Sequence, residues 1–318
     1  MQLNEKTKNL LSLLLRIVLS TGLLIFLFRR IDFKEVIAAL RSANLNFIIW
    51  GIVVYFITNI LILLRWFVLI KGLSLQAPFK SVMRFFFIGL FGNLFLPTAV
   101  GGDIIKTIGL CMQSSEKAKV VASVVLDRLV GFAGIVMMAT VAFILGFHLI
   151  NDLSILLSII ILAALSITIF VVLFNERIYA FCCQIFSFFP KIRQSLMRMH
   201  YDIVLIKDNK KSLLKALGLS LVSQLWLALT FLCIAKGFNQ NIGIIYFLIF
   251  VPLICVSASL PSIGGLGVRE AGVVYLLAKI NVESSIAMSI SLMSFVFMIL
   301  VGLIGGVVYV VTLPARRL

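Results

Sequence analysis

The residues that could do chemistry in this chain are charges set where charge is expensive. Asp127 and Arg128 interrupt an apolar run that extends from Val120 to Gly146. An ionisable group inside a membrane-spanning helix costs about 2.5–3.5 kcal/mol on insertion scales, so such groups mark substrate and ion pathways. Asp103 follows Gly101-Gly102, with Lys106 one turn further on, and Arg269-Glu270 follows Gly264-Gly265-Leu266-Gly267. The chemistry open to this set is anion binding and proton handling. Arg and Lys suit a phosphate, and a helix start adds backbone N–H donors. The carboxylates would repel an anion, so they are expected to position Arg or Lys, or to carry protons. Neighbours in sequence do not face each other on a helix, so Asp127 and Arg128 should find different partners. Arg128 is read as lining a cavity. Arg65, near the end of the apolar run 47–70, is read as snorkelling to the interface. Asp103 also has the character of an N-cap. Asn93 is a candidate partner for backbone groups that a helix break sets free.

The elements that must position these residues are broken helices. Leu96-Pro97-Thr98-Ala99-Val100-Gly101-Gly102-Asp103 lies within the apolar region 85–112, and Leu260-Pro261-Ser262-Ile263-Gly264-Gly265-Leu266-Gly267 lies within 243–280. Irregular backbone at membrane depth is tolerated only where protein buries it or where it lines a cavity. Paired interruptions in two halves of a chain point to a transporter binding site. Pro97, Gly101, Gly102, Pro261, Gly264, Gly265 and Gly267 are the backbone candidates for that site. Apolar runs at 10–28, 47–70, 119–148, 154–174, 213–236 and 285–312 each reach the length of about 20 residues that a spanning helix needs. The expected fold is an all-α polytopic membrane protein with about six full spans and two re-entrant or broken hairpins.

Composition agrees. The chain is 62% hydrophobic and 13% charged, against about 45–50% and about 25% in soluble domains. A single membrane domain, 1–318, is expected. Its first half is 10–174, its second half 213–312, and 175–212 is a basic cytoplasmic connector. Within the connector, 191–206 has the pattern of an amphipathic helix on the inner leaflet. Lys and Arg in the connector and Arg316-Arg317 place both segments on the cytoplasmic side. Counting crossings from there, the two hairpins enter from opposite faces as an inverted repeat, although loop 29–46 carries Arg29, Arg30, Lys34 and Arg41 against that count. The net charge of +16 suits anionic lipid headgroups and not nucleic acid, because no basic soluble module carries it. The five cysteines and two histidines have no metal-ligand spacing, so neither a metal nor a cofactor is expected. Gly302, Gly305 and Gly306 permit close helix contact, within the chain or in a homodimer.

Three motifs carry a resemblance. Gly92-Asn93 followed by Pro97 and Gly101-Gly102-Asp103, then Ala122-Ser123-Val124 with Asp127-Arg128-Leu129, then Pro261 with Gly264-Gly265-Leu266-Gly267-Val268-Arg269-Glu270, resemble the lysylphosphatidylglycerol synthase transmembrane, flippase-like family. The resemblance implies a lipid-flipping domain of a bacterial or archaeal plasma membrane, with broken helices around a cavity. The multiple peptide resistance factor of that family also has a transferase domain, which has no counterpart before Leu318, so lipid synthesis is not carried over. The expected function is movement of a phospholipid or lipid-linked intermediate across the cytoplasmic membrane, with Asn93, Asp103, Lys106, Asp127, Arg128, Arg269 and Glu270 as substrate-binding candidates. The alternatives are an integral-membrane enzyme acting on lipid or polyprenyl phosphate, and a membrane partner of a separate synthase or glycosyltransferase.

Overall fold

A computed structural model of the chain describes residues 38, 40–94, 101–149, 152–175, 177–179, 209–258 and 267–312. Within them the regular structure is helical: α1 (Leu45–Gly72), α2 (Phe79–Gly92), α3 (Gly101–Cys111), α4 (Lys117–Leu145), α5 (Leu153–Phe174), α6 (Lys210–Gly237), α7 (Ile244–Ala258), α8 (Val268–Ala278) and α9 (Ser284–Thr312). The chain is an all-α membrane protein. The first expected span, 10–28, the amphipathic stretch 191–206, and Pro97, Pro261, Gly264 and Gly265 lie outside the described residues.

Helix length separates two kinds of element. α1, α4, α6 and α9 are 28 or 29 residues long and apolar enough to cross a membrane. At about 1.5 Å per residue each reaches about 42 Å, more than the hydrocarbon core of about 30 Å. α2 and α3 have 14 and 11 residues, and α7 and α8 have 15 and 11. At the same rise their described residues reach only about 16–23 Å, short of the hydrocarbon core. These are the two regions that the Pro-Gly motifs interrupt.

The helices sort into two compact units drawn from interleaved stretches of chain. One takes its described residues from the part ending at Phe56, from Phe86–Ile105 and from Leu227 onward. The other comprises Ile57–Phe85 and Lys106–Trp226. In the first, α8 packs on both α7 and α9. The glycines of α9 face the end of α2. A Cβ on Gly305 would collide with the Phe87 carbonyl oxygen, and one on Gly306 would meet the Phe91 ring at 2.8 Å. The glycine stripe therefore serves close packing within the chain. In the second unit, Leu69 of α1, Leu73 just after it, Ala122, Leu126 and Val130 of α4 and Ala216 of α6 form a buried cluster.

Outward faces are apolar too. Leu157, Ile160, Ile161 and Leu165 on α5 are exposed, as are Leu300, Leu303, Val307 and Val310 on α9. In water such faces would associate. In lipid they need no cover, because acyl chains are as apolar as leucine.

The Gly305 contact gives a test of packing. Gly305→Ala improves helix propensity by about 1 kcal/mol, but it drives a methyl group into a carbonyl oxygen of another helix. Overpacking of a fitted site costs about 1–3 kcal/mol, and here the obstacle is backbone, so the clash wins. The variant is expected to unfold at a lower SDS fraction in mixed micelles. An unchanged or higher midpoint would show that α9 is not held against α2.

Candidate buried charge site

One unit encloses a cluster of ionised side chains. Arg65 of α1 is 7% exposed, Asp127 of α4 is 2% and Lys106 of α3 is 5%. Arg65 Nε donates to Asp127 Oδ1 at 2.7 Å, and Arg65 Nη1 donates to the Ser220 hydroxyl of α6 at 3.1 Å. Lys106 Nζ donates to the other carboxylate oxygen, Asp127 Oδ2, at 3.4 Å. A single carboxylate thus joins two cations from two other helices. The Lys106 ammonium also lies 4.7 Å from the centre of the Trp66 ring, where the negative ring face attracts a cation. Trp66 is fully buried and held in turn by donation from its Nε1 to Ser123 Oγ at 3.2 Å.

Small residues on α4 make room for this arrangement. Gly131 follows Asp127 by four positions, on the same helix face. A Cβ there would lie 3.1 Å from Arg65 Nη1, and one on Gly134 would lie 2.8 Å from Ser220 Cβ. The guanidinium therefore lies across bare helix backbone between Asp127 and Ser220. Arg128 is half-buried and adds a further positive charge beside Asp127.

The other unit holds the remaining predicted residues in two arrangements. Asn93, at the end of α2, accepts a hydrogen bond from the Gly102 backbone N–H at 2.7 Å. A Cβ on Gly102 would collide with the Gly89 carbonyl oxygen, so the two short helices meet at backbone contact. The second arrangement opens α8. Glu270 is fully buried; its Oε2 accepts from the Gly267 N–H at 2.6 Å, and its Oε1 accepts from Arg269 Nε at 3.2 Å and from Arg269 Nη2. Gly267 has φ +85°, a conformation that costs glycine little and other residues much. The Arg269 guanidinium lies 4.9 Å from the centre of the Phe295 ring of α9.

Two expectations need correction. Arg65 does not snorkel: it is buried and ion-paired. The basic residue in the last turn of α1 is Lys71. Asp103 does not precede its helix. α3 begins at Gly101, Asp103 falls in the first turn, and Asn93 supplies the side-chain acceptor for the Gly102 N–H. Asp127 finds its partners on other helices. Trp66 and Ser220 were missed, because a tryptophan and a serine in apolar helices carry no separate mark, and Ser123 was noted only within its motif.

Comparison with known proteins follows the same outline. The sequence model of the family described as lysylphosphatidylglycerol synthase TM region matches residues 13–306. The chain belongs to this family. A UPF0104 membrane protein of Pyrococcus horikoshii is 26% identical over 310 residues, covering 88% of this chain and 90% of that protein. This member of the lysylphosphatidylglycerol synthase TM family is therefore a multi-pass membrane protein, matched through both broken regions and through the Asp127-Arg128 helix. In it, the three motifs that carry the family resemblance also contain Asp127, Lys106's helix start and the Arg269-Glu270 pair.

Proposed function

We propose that this protein moves a phospholipid or lipid-linked intermediate across the cytoplasmic membrane, and that Arg65 and Lys106, held in place by Asp127, receive the phosphate of its headgroup. The observation that carries the reading is buried positive charge. Two buried cations share Asp127, and Arg128 follows it in sequence. With Asp103, one turn before Lys106 in sequence, the count among the described residues is three cations to two carboxylates. Excess charge in a low-dielectric interior is costly and favours an anion. A phosphate entering beside Asp127 would complete the charge balance, while Asp127 keeps Arg65 and Lys106 aligned as donors.

The family description, which names a lipid synthase, supports a lipid ligand. The paired broken helices support a route for the headgroup, since their backbone can adapt only where it is enclosed or wet. The acyl chains would stay in the bilayer against the apolar outer faces. Alternating exposure of the headgroup would then move the lipid without covalent change.

The test is translocation in liposomes containing the purified chain. A fluorescent phosphatidylglycerol is followed by its accessibility to an external quencher. Lys106→Met keeps an aliphatic stem over Trp66 and removes the charge. It is expected to slow translocation at least about tenfold, the equivalent of about 1.4 kcal/mol, with the protein still monodisperse. Wild-type rates in the variant would remove Lys106 from the path, and no translocation by the wild type would remove the transport reading.

A further inference from the structure

Next to the cation cluster is a polar group of the opposite hydrogen-bonding sense. Gln224 of α6 is 8% exposed, and its Oε1 accepts no hydrogen bond among the described residues. Ser220, whose hydroxyl takes the Arg65 guanidinium, is four positions earlier on the same helix. Side chains at that spacing share a face and stand about 5–6 Å apart at Cβ. Between them Ser223 is tied back to its own helix, its hydroxyl donating to the Ser220 carbonyl at 2.7 Å. Ser223 therefore does not satisfy the amide.

A buried amide carbonyl left without a donor is a cost that native interiors avoid. At this position it has a use. Arg65 and Lys106 offer only donors, which suit phosphate oxygens. Gln224 Oε1 offers an acceptor one helical turn away. A ligand that answers both must carry a phosphate and, a few bonds from it, an O–H or N–H group.

We propose that Gln224 selects the headgroup, its buried Oε1 accepting a hydrogen bond from a hydroxyl or ammonium group of the lipid whose phosphate lies at Arg65 and Lys106. The inference rests on reading that cluster as a phosphate site. It names the substrate class more narrowly: a phosphodiester lipid with a donor-bearing headgroup. A site built to hydrogen-bond such a donor rejects analogues that lack it far more strongly than an apolar pocket discriminates by shape.

Three lipids separate the possibilities. Phosphatidylglycerol carries hydroxyls, phosphatidylethanolamine carries an ammonium, and phosphatidylmethanol has the same phosphodiester with no headgroup donor. Binding of each to the purified full chain is measured by native mass spectrometry in detergent. The wild type is expected to retain at least one of the first two about tenfold better than phosphatidylmethanol, and which one identifies the donor as hydroxyl or ammonium. Gln224→Met, which keeps length and volume, is expected to bring the preferred lipid down to the phosphatidylmethanol level. A wild type without preference overturns the proposal, and that comparison needs no folded variant. A preference that survives in Gln224→Met overturns it as well. Lys106→Met tests the underlying reading separately. If all three lipids bind equally and all weaken in Lys106→Met, the phosphate site stands and the selector role of Gln224 falls. If Lys106→Met changes the binding of none of them, the phosphate site falls and the proposal falls with it.

Discussion

Arg65→Met is expected to destabilise the protein by about 3 kcal/mol, the lower end of the range for breaking a buried ion pair. The variant leaves Asp127, which is 2% exposed, with Lys106 at 3.4 Å in place of two cations. It also leaves the Ser220 hydroxyl without the guanidinium that it accepts from at 3.1 Å. Lys106 keeps the loss at the lower end. The measurement is the unfolding midpoint in mixed micelles of increasing SDS fraction. Adding Asp127→Asn should lower the midpoint further, because it takes the carboxylate from Lys106, which is 5% exposed and pairs with Asp127 at 3.4 Å. A double variant as stable as the wild type would show that Asp127 holds neither cation.

Glu270→Leu is expected to have the larger effect, about 3–5 kcal/mol. Glu270 is fully buried and accepts from Gly267 N–H and from two nitrogens of Arg269. Leucine removes every one of these acceptors. The Arg269 guanidinium then has the Phe295 ring at 4.9 Å, a contact worth about 2 kcal/mol when desolvated, too little to hold a buried cation. The Gly267 N–H opens α8 in a left-handed turn and also loses its partner. Glu270→Gln should fall between, since an amide oxygen can still accept one of these bonds. The same SDS titration reads all three proteins. Equal midpoints for Glu270→Gln and Glu270→Leu would mean that the full charge is needed. A wild-type midpoint for Glu270→Leu would mean that α8 is not anchored by this residue.

The two predictions separate roles that sequence position leaves joined. Asp127 pairs with two cations from other helices, whereas Glu270 closes a local turn and balances its own neighbour. Adjacent charges are generally poor partners on a helix, and Asp127 conforms to that rule. Arg269 and Glu270 do not, because at the first turn of α8 a long arginine side chain can fold back over the end of the helix. Under the proposed function, lipid translocation is expected to depend on the first site more than on the second, at equal folded amounts.

Much of the architecture was legible from the residues. Apolar runs of about 20 or more residues can only be spans in a chain this hydrophobic, and α1, α4, α6 and α9 lie over four of them. The placing of short helices in 85–112 and 243–280 was legible, because proline removes a backbone donor and glycine permits close approach. The described helices there are α2 and α3, and α7 and α8. The contact that Asn93 makes was foreseen in kind. The burial of Arg65 was not, because a charge near the end of a span reads the same whether it reaches outward to the interface or inward to a carboxylate.

By itself the sequence determined an all-helical membrane protein with two interrupted regions and a few intramembrane charges, since hydrophobic run length and backbone-breaking residues act locally. Which charges pair was decided only by tertiary structure. Arg65 and Asp127 are 62 residues apart and Arg65 and Ser220 are 155 apart, so no local pattern records their meeting. A buried ion is stable only where folding brings its counter-ion and donors within about 3 Å. That distance is a property of packed helices and not of any one of them.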